Sequence, residues 1–318
     1  MSARPIISAD LITDLLCDPV MAAYVIFGAQ LDVFQRARLR AYWWIPDVVD
    51  SSGFSTGKSI VFWLFCNLRA VLLPDQHIGA YYYSFESGKQ NFWAMYSSPM
   101  AQHPIFRSQL GRLDESGDEA KSMLKGPACY TASFANGSKI LMPAPNWGQE
   151  ARGQAGIRFN TVGIDEWTKV EATGTTGIDD QILGRCTRPS WNQHHPLWGN
   201  HTVFLATAES RAHPAWRRYS TFRKREAKGD PTAATISYSY KDFSNRPCAT
   251  GKSFKEEYRI TVKLNSMKAQ FTREHFLREC LGIWARSGKG WYSEEALGRC
   301  VTLGRQLGTE VCMGRAGA

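Results

Sequence analysis

The sequence predicts an α/β fold in which helices flank a mostly parallel central sheet. Apolar runs of strand length alternate with longer stretches whose apolar residues recur at helical spacing, which is typical of α/β proteins. The 318 residues are enough to bury a large core without disulfides. Hydrophobic residues make up 43% and charged residues 21%, as in an average globular protein. This composition excludes wholesale disorder and a collagen-like repeat.

The first half of the chain supplies alternating helices and strands. Residues 9–40 are apolar at helical spacing, and the short run 47–52 predicts a strand. The long apolar segment that follows predicts a buried helix, which Pro74 ends. The aromatic run 78–85 then predicts a buried strand, and residues 88–97 predict a further helix.

The second half begins with a predicted hairpin. Asn136 and Gly137 separate two runs of alternating hydrophobicity, and this dipeptide fits a type I′ turn, whose two central residues have positive φ. Two more strands are predicted at 160–167 and 201–210, and the region after about residue 250 is more charged and helical.

Charge and cysteine usage limit the setting in which the protein works. The formal net charge is +9 and the pI is near 9.2, which favours a polyanionic partner. The eight cysteines form no CxxC pair, so we expect neither a zinc site nor a disulfide framework, and a reducing cytoplasm. The longest apolar stretch, 60–66, is far short of the ~20 residues that span a bilayer. The N-terminus lacks the long apolar region of a secretory signal, and no membrane partner is expected.

A candidate phosphate-binding loop lies between the first predicted strand and the buried helix. The segment SGFSTGKS approximates G-x-x-x-x-G-K-[ST], with Ser52 in the place of the first glycine and Gly53 one position late. Backbone N–H groups of such a loop surround phosphate oxygens, and its lysine reaches the β- and γ-phosphates. The expected nucleotide contacts are Ser52, Gly53, Phe54, Ser55, Thr56, Gly57, Lys58 and Ser59. A second GKS, at 251–253, follows no convincing strand and is interpreted as a surface loop.

Two later strands end in residues suited to the same chemistry. The apolar run before Asp165 and Glu166 delivers two adjacent carboxylates at a strand end. Asp165, with the Ser59 hydroxyl, is expected to bind Mg²⁺, and Glu166 to orient or deprotonate the attacking water. Thr207, after the run FLATA, is expected to contact the γ-phosphate or that water.

The order of these motifs resembles the ATPase portion of the large terminase subunit of tailed bacteriophages. FQRARLR, with Gln35, resembles the adenine-contacting segment of that family, and 150–160 resembles the basic loop before its Walker B strand. GFSTGKS and VGIDEW stand for Walker A and Walker B, FLATAES resembles the coupling motif, and 271–297 resembles the segment that closes the ATPase domain.

The resemblance implies a fold, an activity and cofactors. The fold is a P-loop NTPase of the ASCE/RecA-like type, with a small helical lid segment. The activity is ATP hydrolysis coupled to DNA translocation during viral genome packaging, with ATP and Mg²⁺ as cofactors. Expected catalytic residues are Lys58, Glu166 and Arg152. We divide the chain into an ATPase core at 1–265 and a lid and linker segment at 266–318, with no nuclease domain and no nuclease activity.

One departure from the family concerns arginine. Many terminases carry an arginine inside Walker A, where this chain has Gly53, Phe54, Ser55 and Thr56. A charge-stabilising arginine must then come from elsewhere, and Arg152 and Arg158 are the candidates, acting on the nucleotide of a neighbouring subunit. Such an arginine raises the rate by ~10³ to 10⁵ in enzymes that use one.

The expected partners follow from the resemblance and from one basic segment. They are double-stranded DNA bound without sequence preference, the portal, the small terminase subunit and further copies of the chain in a ring, in the host cytoplasm and not in the mature virion. Residues 211–228 hold seven basic residues and one acidic residue. The candidate DNA contacts are Arg217, Arg218, Arg223, Lys224 and Arg225. The alternative is a helix whose aromatic residues Trp216, Tyr219 and Phe222 face the core while its charges face water.

Two other functions remain open at the level of sequence. The first alternative is a P-loop ATPase of helicase type, which normally needs a second RecA-like domain. The second is a degenerate P-loop domain that acts as a DNA-binding or assembly scaffold without hydrolysis. The missing first glycine of the loop gives the scaffold hypothesis some weight.

Overall fold

The computed structural model describes residues 9–53, 56–111, 123–126, 129–143, 158–171, 186–188, 199–239, 242 and 260–285. The helices in these ranges are α1 (Ala9–Cys17), α2 (Pro19–Phe27), α3 (Val33–Trp44), α4 (Lys58–Leu72), α5 (Phe85–Tyr96), α6 (Pro104–Gln109), α7 (Trp167–Glu171), α8 (Ala215–Ala227), α9 (Ile260–Gln270) and α10 (Arg273–Leu281). The strands are β1 (Asp47–Asp50), β2 (His77–Tyr82), β3 (Met123–Gly126), β4 (Cys129–Ser133), β5 (Lys139–Pro143), β6 (Thr161–Asp165), β7 (His201–Leu205) and β8 (Ala233–Ile236).

The eight strands form one sheet in the order β3-β4-β5-β2-β6-β7-β1-β8. The neighbouring strands in the part of this order that runs β5-β2-β6-β7-β1-β8 are all parallel. Only the β3–β4 and β4–β5 pairs of the described strands are antiparallel. The predicted α/β fold with a mostly parallel sheet and flanking helices is therefore confirmed. Because β7 lies between β1 and β6, the carboxyl ends of these three strands meet at one edge of the sheet.

The predicted helical stretch at 9–40 consists of three helices, because caps interrupt it. The Asp18 carboxylate accepts the N–H of Val20 at 3.0 Å and starts α2, whereas Gly28 ends it in the left-handed region at φ 65°. Asp32 and Gln35 form a capping box that starts α3. No helix in the described ranges is both long enough and apolar enough to cross a bilayer.

The hairpin of β4 and β5 is confirmed, but its turn is not type I′. Gly137 has φ 87°, whereas Asn136 is not among the described residues with positive φ, as type I′ would require. The five residues between the paired Ser133 and Lys139 form a longer loop. The Asn136 amide donates instead to the carbonyls of Ala70 and Val71, at 2.8 and 3.1 Å. The turn thus satisfies carbonyl groups at the end of α4.

The buried helix predicted after the phosphate loop is α4, which contacts α3 on one side and strands β2, β5 and β6 on the other. Its approach to β6 depends on a missing side chain. A Cβ on Gly163, in the middle of β6, would overlap the Phe62 ring of α4. Glycine at this position therefore lets α4 lie directly against the strand that ends in Asp165.

We expect Gly163→Ala to destabilise the fold by about 1–3 kcal/mol, because the Phe62 ring must move out of a fully buried position. Gly79→Ala, on the neighbouring strand β2, is the matched control. Its Cβ would meet the rings of Phe159 and Tyr81 at 3.1 Å, a contact that small shifts relieve. Urea unfolding of both variants measures the difference, and equal losses would contradict the proposed close approach.

Candidate functional site

A cleft of about 330 Å³ opens at the carboxyl ends of the parallel strands. It brings together the phosphate loop, the two acidic residues after β6 and the threonine after β7, which lie far apart in sequence. The residues that line it are Gly57, Lys58, Ser59, Ile60, Ser87, Asn91, Asp165, Glu166, Ala206 and Thr207.

A hydrogen bond joins the two halves of the cleft. The Ser59 hydroxyl, in the first turn of α4, donates to Oδ2 of Asp165 at 2.7 Å, although the residues are 106 positions apart. Burial raises the pKa of Asp165, while the Ser59 hydroxyl and the nearby Lys58 ammonium act in the opposite direction. A serine hydroxyl and a carboxylate are hard oxygen ligands of the kind that Mg²⁺ prefers, so this pair fits the predicted metal site.

Lys58 is the first residue of α4, and its ammonium group points into the loop. Its Nζ donates to the carbonyl oxygens of Ser52 and Gly53, at 2.7 and 2.9 Å. Burial lowers the pKa of Lys58, and the carboxylates of Asp50 and Asp165 oppose that shift. Gly57, at φ 77°, precedes the helix and supplies no side-chain cap. The first N–H groups of a helix have no partner within it, and together with a buried ammonium they favour an anion.

Glu166 has an unusual backbone. Its φ of 54° lies in the left-handed region, which costs about 1–3 kcal/mol for a residue other than glycine. Its backbone N–H donates to Oδ1 of Asp165 at 2.9 Å, and its carboxylate pairs with Lys169 Nζ at 2.7 Å. The strained residue turns the chain so that both acidic residues line the cleft.

The loop's departure from the consensus has a structural reason. The Ser52 hydroxyl donates to Asp50 Oδ1 at 2.6 Å and accepts the backbone N–H of Tyr238 at 2.9 Å. Gly53 takes the position where a side chain is excluded, because its Cβ would lie 2.7 Å from the carbonyl oxygen of Cys280, the penultimate residue of α10. The glycine that stands one place late in the sequence is therefore the residue at which α10 approaches the loop.

Sequence reasoning missed a buried ion pair behind the loop. Arg38 of α3 and Asp50 at the end of β1 are both fully buried, with Arg38 Nε 2.5 Å from Asp50 Oδ2. Tyr42 adds a hydrogen bond from its hydroxyl to the same oxygen at 2.7 Å. Burial tends to raise the pKa of Asp50, but Arg38 and Lys58 hold it below its usual value. The available signal was an acidic residue that ends an apolar strand just before the loop.

Other predicted and overlooked residues lie around this centre. Gln35 accepts the Asp32 N–H at 3.0 Å, and its Nε2 lies 3.0 Å from the position of a Cβ on Gly57, so it covers the end of the loop. Its contact with adenine stays a prediction. Ser87 and Asn91, one helical turn apart on α5, line the cleft and had no signal in the sequence.

Several predicted residues are not among those that line the cleft. Phe54, Ser55 and Arg152 lie outside the described residues, as do 251–253 and 286–318. Arg158 is described and exposed. Within the described ranges, no group of three or more His, Cys, Asp or Glu residues is suited to hold a metal ion.

The basic helix α8 buries its aromatic face. Tyr219 and Phe222 are buried, and Trp216 packs against Trp284 with ring centroids 5.5 Å apart. This is the alternative that the sequence left open. Two of the five candidate DNA contacts have partners within the fold: Arg225 pairs with Asp47 and Asp230, and Arg218 lies over the Phe204 ring. The exposed candidates are Arg217, Arg223 and Lys224.

The comparisons with known proteins identify solved structures of similar fold. No protein-family model and no curated protein sequence matches the chain. The large terminase of a thermophilic bacteriophage, in complex with ATP-gamma-S, matches at TM-score 0.50 and 14% identity, over 80% of this chain and 53% of that one. The large terminase of bacteriophage HK97 matches at TM-score 0.53 and 14% identity, over 80% and 51%. The large terminase ATPase domain of Thermus phage P74-26 matches at TM-score 0.52 and 11% identity, over 89% and 100%.

These comparisons confirm at the level of fold the resemblance that the motifs indicate. The chain spans about half the length of the first two terminases and the whole of the P74-26 ATPase domain. At these identities the likeness concerns the fold alone.

We expect Tyr42→Phe to cost about 1.5–3 kcal/mol of stability, because it removes a hydrogen bond to a buried carboxylate. Tyr96→Phe is the control, since its buried hydroxyl donates at 3.0 Å to the neutral amide oxygen of Asn67. Chemical unfolding of the two variants provides the comparison. If Tyr96→Phe costs as much as Tyr42→Phe, the charge of the Asp50 carboxylate adds nothing to the bond from Tyr42.

Proposed function

We propose that this protein is the ATP-hydrolysing part of a phage DNA-packaging motor, the ATPase portion of a terminase large subunit. The observation that carries the proposal is the cleft lined by Lys58, Ser59, Asp165 and Glu166, with Ser59 hydrogen-bonded to Asp165 at 2.7 Å. The fold shared with large terminases, one of them solved with ATP-gamma-S, supports a nucleotide as the ligand.

The phosphate loop and α4 bind the triphosphate. Its β- and γ-phosphates take the Lys58 ammonium away from the carbonyl oxygens of Ser52 and Gly53, exchanging two neutral acceptors for a charged one. The N–H groups at the start of α4 add donors along the helix axis. Gln35 covers the loop at Gly57, which supports its assignment to the adenine end of the nucleotide.

Ser59 and Asp165 hold the Mg²⁺ that accompanies the nucleotide. The ion neutralises charge on the β- and γ-phosphates when it is bound. The two side chains are already hydrogen-bonded to each other in the cleft, so few rotamers need to change when the ion binds.

Glu166 orients and deprotonates the water that attacks the γ-phosphorus, giving ADP and inorganic phosphate. To reach this water, the Glu166 carboxylate gives up its ion pair with Lys169. Thr207, which also lines the cleft, positions the same water or the γ-phosphate.

The remaining assignments are part of the proposal. Arg152 or Arg158 acts on the nucleotide of a neighbouring subunit in a ring, and the division of the chain at residue 265 stays a prediction. The partners are double-stranded DNA, the portal and the small terminase subunit, in the cytoplasm of the infected host. Of the five candidate DNA contacts, Arg217, Arg223 and Lys224 are exposed and accessible to phosphates.

A scaffold without hydrolysis is the second candidate. It is favoured by the Lys58 ammonium, which is satisfied by the loop's own carbonyl groups. The scaffold predicts no thermal stabilisation by ATP, whereas the ATPase predicts stabilisation that grows with ATP concentration.

We expect Glu166→Ala to lower kcat for ATP hydrolysis by about 10²-fold or more, with KM for ATP close to that of the wild type, because a general base contributes ~10²–10⁴ to the rate. Steady-state hydrolysis with and without double-stranded DNA is the measurement. Glu86→Ala is the control, because Glu86 is an exposed residue on α5 that does not line the cleft. A Glu166→Ala protein as active as the wild type would remove Glu166 from its proposed role.

We expect Ser59→Ala to lower Mg²⁺-dependent ADP affinity about tenfold and to leave Mg²⁺-free affinity unchanged, because a hydroxyl ligand of the ion is lost. Because the Ser59 hydrogen bond lowers the pKa of Asp165, its loss raises that pKa further, and Mg²⁺ binding then fails at a higher pH on acidification. Calorimetric titrations across pH measure both effects. Ser97→Ala is the control, since that hydroxyl donates to the Trp93 carbonyl of α5, away from the cleft. Unchanged Mg²⁺-dependent ADP affinity in Ser59→Ala would argue against the pair as a metal site.

A further inference from the structure

Arg38 occupies an unusual position behind the phosphate loop. Beyond its pair with Asp50, its Nη1 donates to the Thr56 carbonyl oxygen at 2.7 Å and its Nη2 to the Ser52 hydroxyl at 3.1 Å. Ser52 and Thr56 are the first and next-to-last residues of the loop that ends at Gly57. One guanidinium group thus joins the end of β1 to both ends of the loop.

The described residues of the loop depend on this network for their shape. In P-loops the glycine-rich backbone surrounds the phosphates with its N–H groups, and here Ser52 stands in the place of the first glycine. The Ser52 hydroxyl is held by Asp50, Arg38 and the Tyr238 N–H, and the Thr56 hydroxyl donates to the Gly53 carbonyl at 2.8 Å. Within the described residues, the Arg38 guanidinium bonds to both Ser52 and Thr56.

Stability alone does not account for a buried Arg38–Asp50 pair. The free-energy cost of removing two charges from water often exceeds the gain from their attraction. A protein with apolar residues of similar volume in their place is frequently as stable. Lysine would keep the charge opposite Asp50, but its single ammonium lacks the planar fork that reaches a carboxylate, a carbonyl and a hydroxyl together. The geometry of arginine is what the loop requires.

Helix α3 carries a second link to the nucleotide. Gln35 lies one turn before Arg38 and covers Gly57. The capping box fixes the start of this helix, and α3 packs along α4. The same helix therefore contacts the loop at two places, with Gln35 over its end at Gly57 and Arg38 behind it.

We propose that Arg38 is a positioning residue that holds the two ends of the phosphate loop, at Ser52 and Thr56, in the arrangement that binds phosphate. It touches no reacting atom, because it is fully buried and bonded to the loop and to Asp50. This inference rests on the proposed function for its nucleotide, but it makes a claim about phosphate binding that is measurable without hydrolysis.

The test compares ATP with inorganic tripolyphosphate, which has the phosphates but no base. We expect Arg38→Lys to weaken calorimetric binding of ATP and of tripolyphosphate by the same factor, about tenfold or more, and to raise KM for ATP with a smaller effect on kcat. Gln35→Ala weakens ATP binding and affects tripolyphosphate less. Arg40→Lys is the matched control, because Arg40 is an exposed arginine on the same helix. Its Nη2 lies 3.5 Å from Asp18 Oδ1, and its substitution makes the same change of side chain away from the loop.

A second variant separates positioning from folding. The double variant Arg38→Met, Asp50→Leu removes both buried charges, so no charge is left unpaired if Arg38→Lys fails to fold. We expect it to keep a cooperative thermal transition and still to lose tripolyphosphate affinity. Unchanged tripolyphosphate affinity in a folded Arg38 variant, or a loss confined to ATP, overturns the inference. If the wild type binds tripolyphosphate but never hydrolyses ATP, the proposed function fails while the role of Arg38 stands or falls on the same binding data.

Discussion

The hydrogen bond between Ser59 and Asp165 is the contact on which the cleft depends. Strand β7 separates β1 from β6, and Ser59, in the first turn of α4, connects the end of the loop after β1 to the acidic residue that ends β6. Helix α4 makes that contact possible by lying against β6, where Gly163 leaves room for the Phe62 ring. A side chain in the middle of one strand would therefore disturb a polar contact at its end, which shows how closely the packing and the chemistry of this site are linked.

The buried charges around the loop divide into two kinds. Asp50 faces Arg38 and Lys58, and their charges overcome the effect of burial and lower its pKa, so it stays ionised as an anchor. Asp165 has a hydroxyl and the Lys58 ammonium for partners, and burial prevails, so its pKa is raised. A buried carboxylate short of positive charge gains most from an added cation. The same fold thus lowers the pKa of one buried aspartate and raises the pKa of the other.

Local patterns in the sequence predicted much of this structure, and long-range pairings account for what they missed. The strands at 47–52 and 160–167, the buried helix after the loop and the hairpin followed from periodicity and turn residues. The partner of Asp50 was not predictable, because nothing in FQRARLR distinguishes Arg38 from the exposed Arg36 and Arg40. The turn at Asn136 was assigned to the wrong type because its amide bonds to α4, a contact absent from any local pattern.

Helix α10 lies against Gly53 of the loop and also connects the loop to the segment after β7. The carbonyl of Cys280 lies against Gly53, and a Cβ on Gly282 would lie 2.9 Å from the Ser51 carbonyl, so the loop and the helix end pack backbone to backbone. On the other side, Arg278 pairs with Glu209, two residues beyond Thr207, and the Ala285 N–H donates to the Glu209 carbonyl at 3.0 Å. Close-packed backbones transmit displacement because neither has a flexible side chain that can yield. The described part of the phosphate loop therefore packs directly against the end of α10, and α10 is bonded to the segment that carries Thr207 into the cleft.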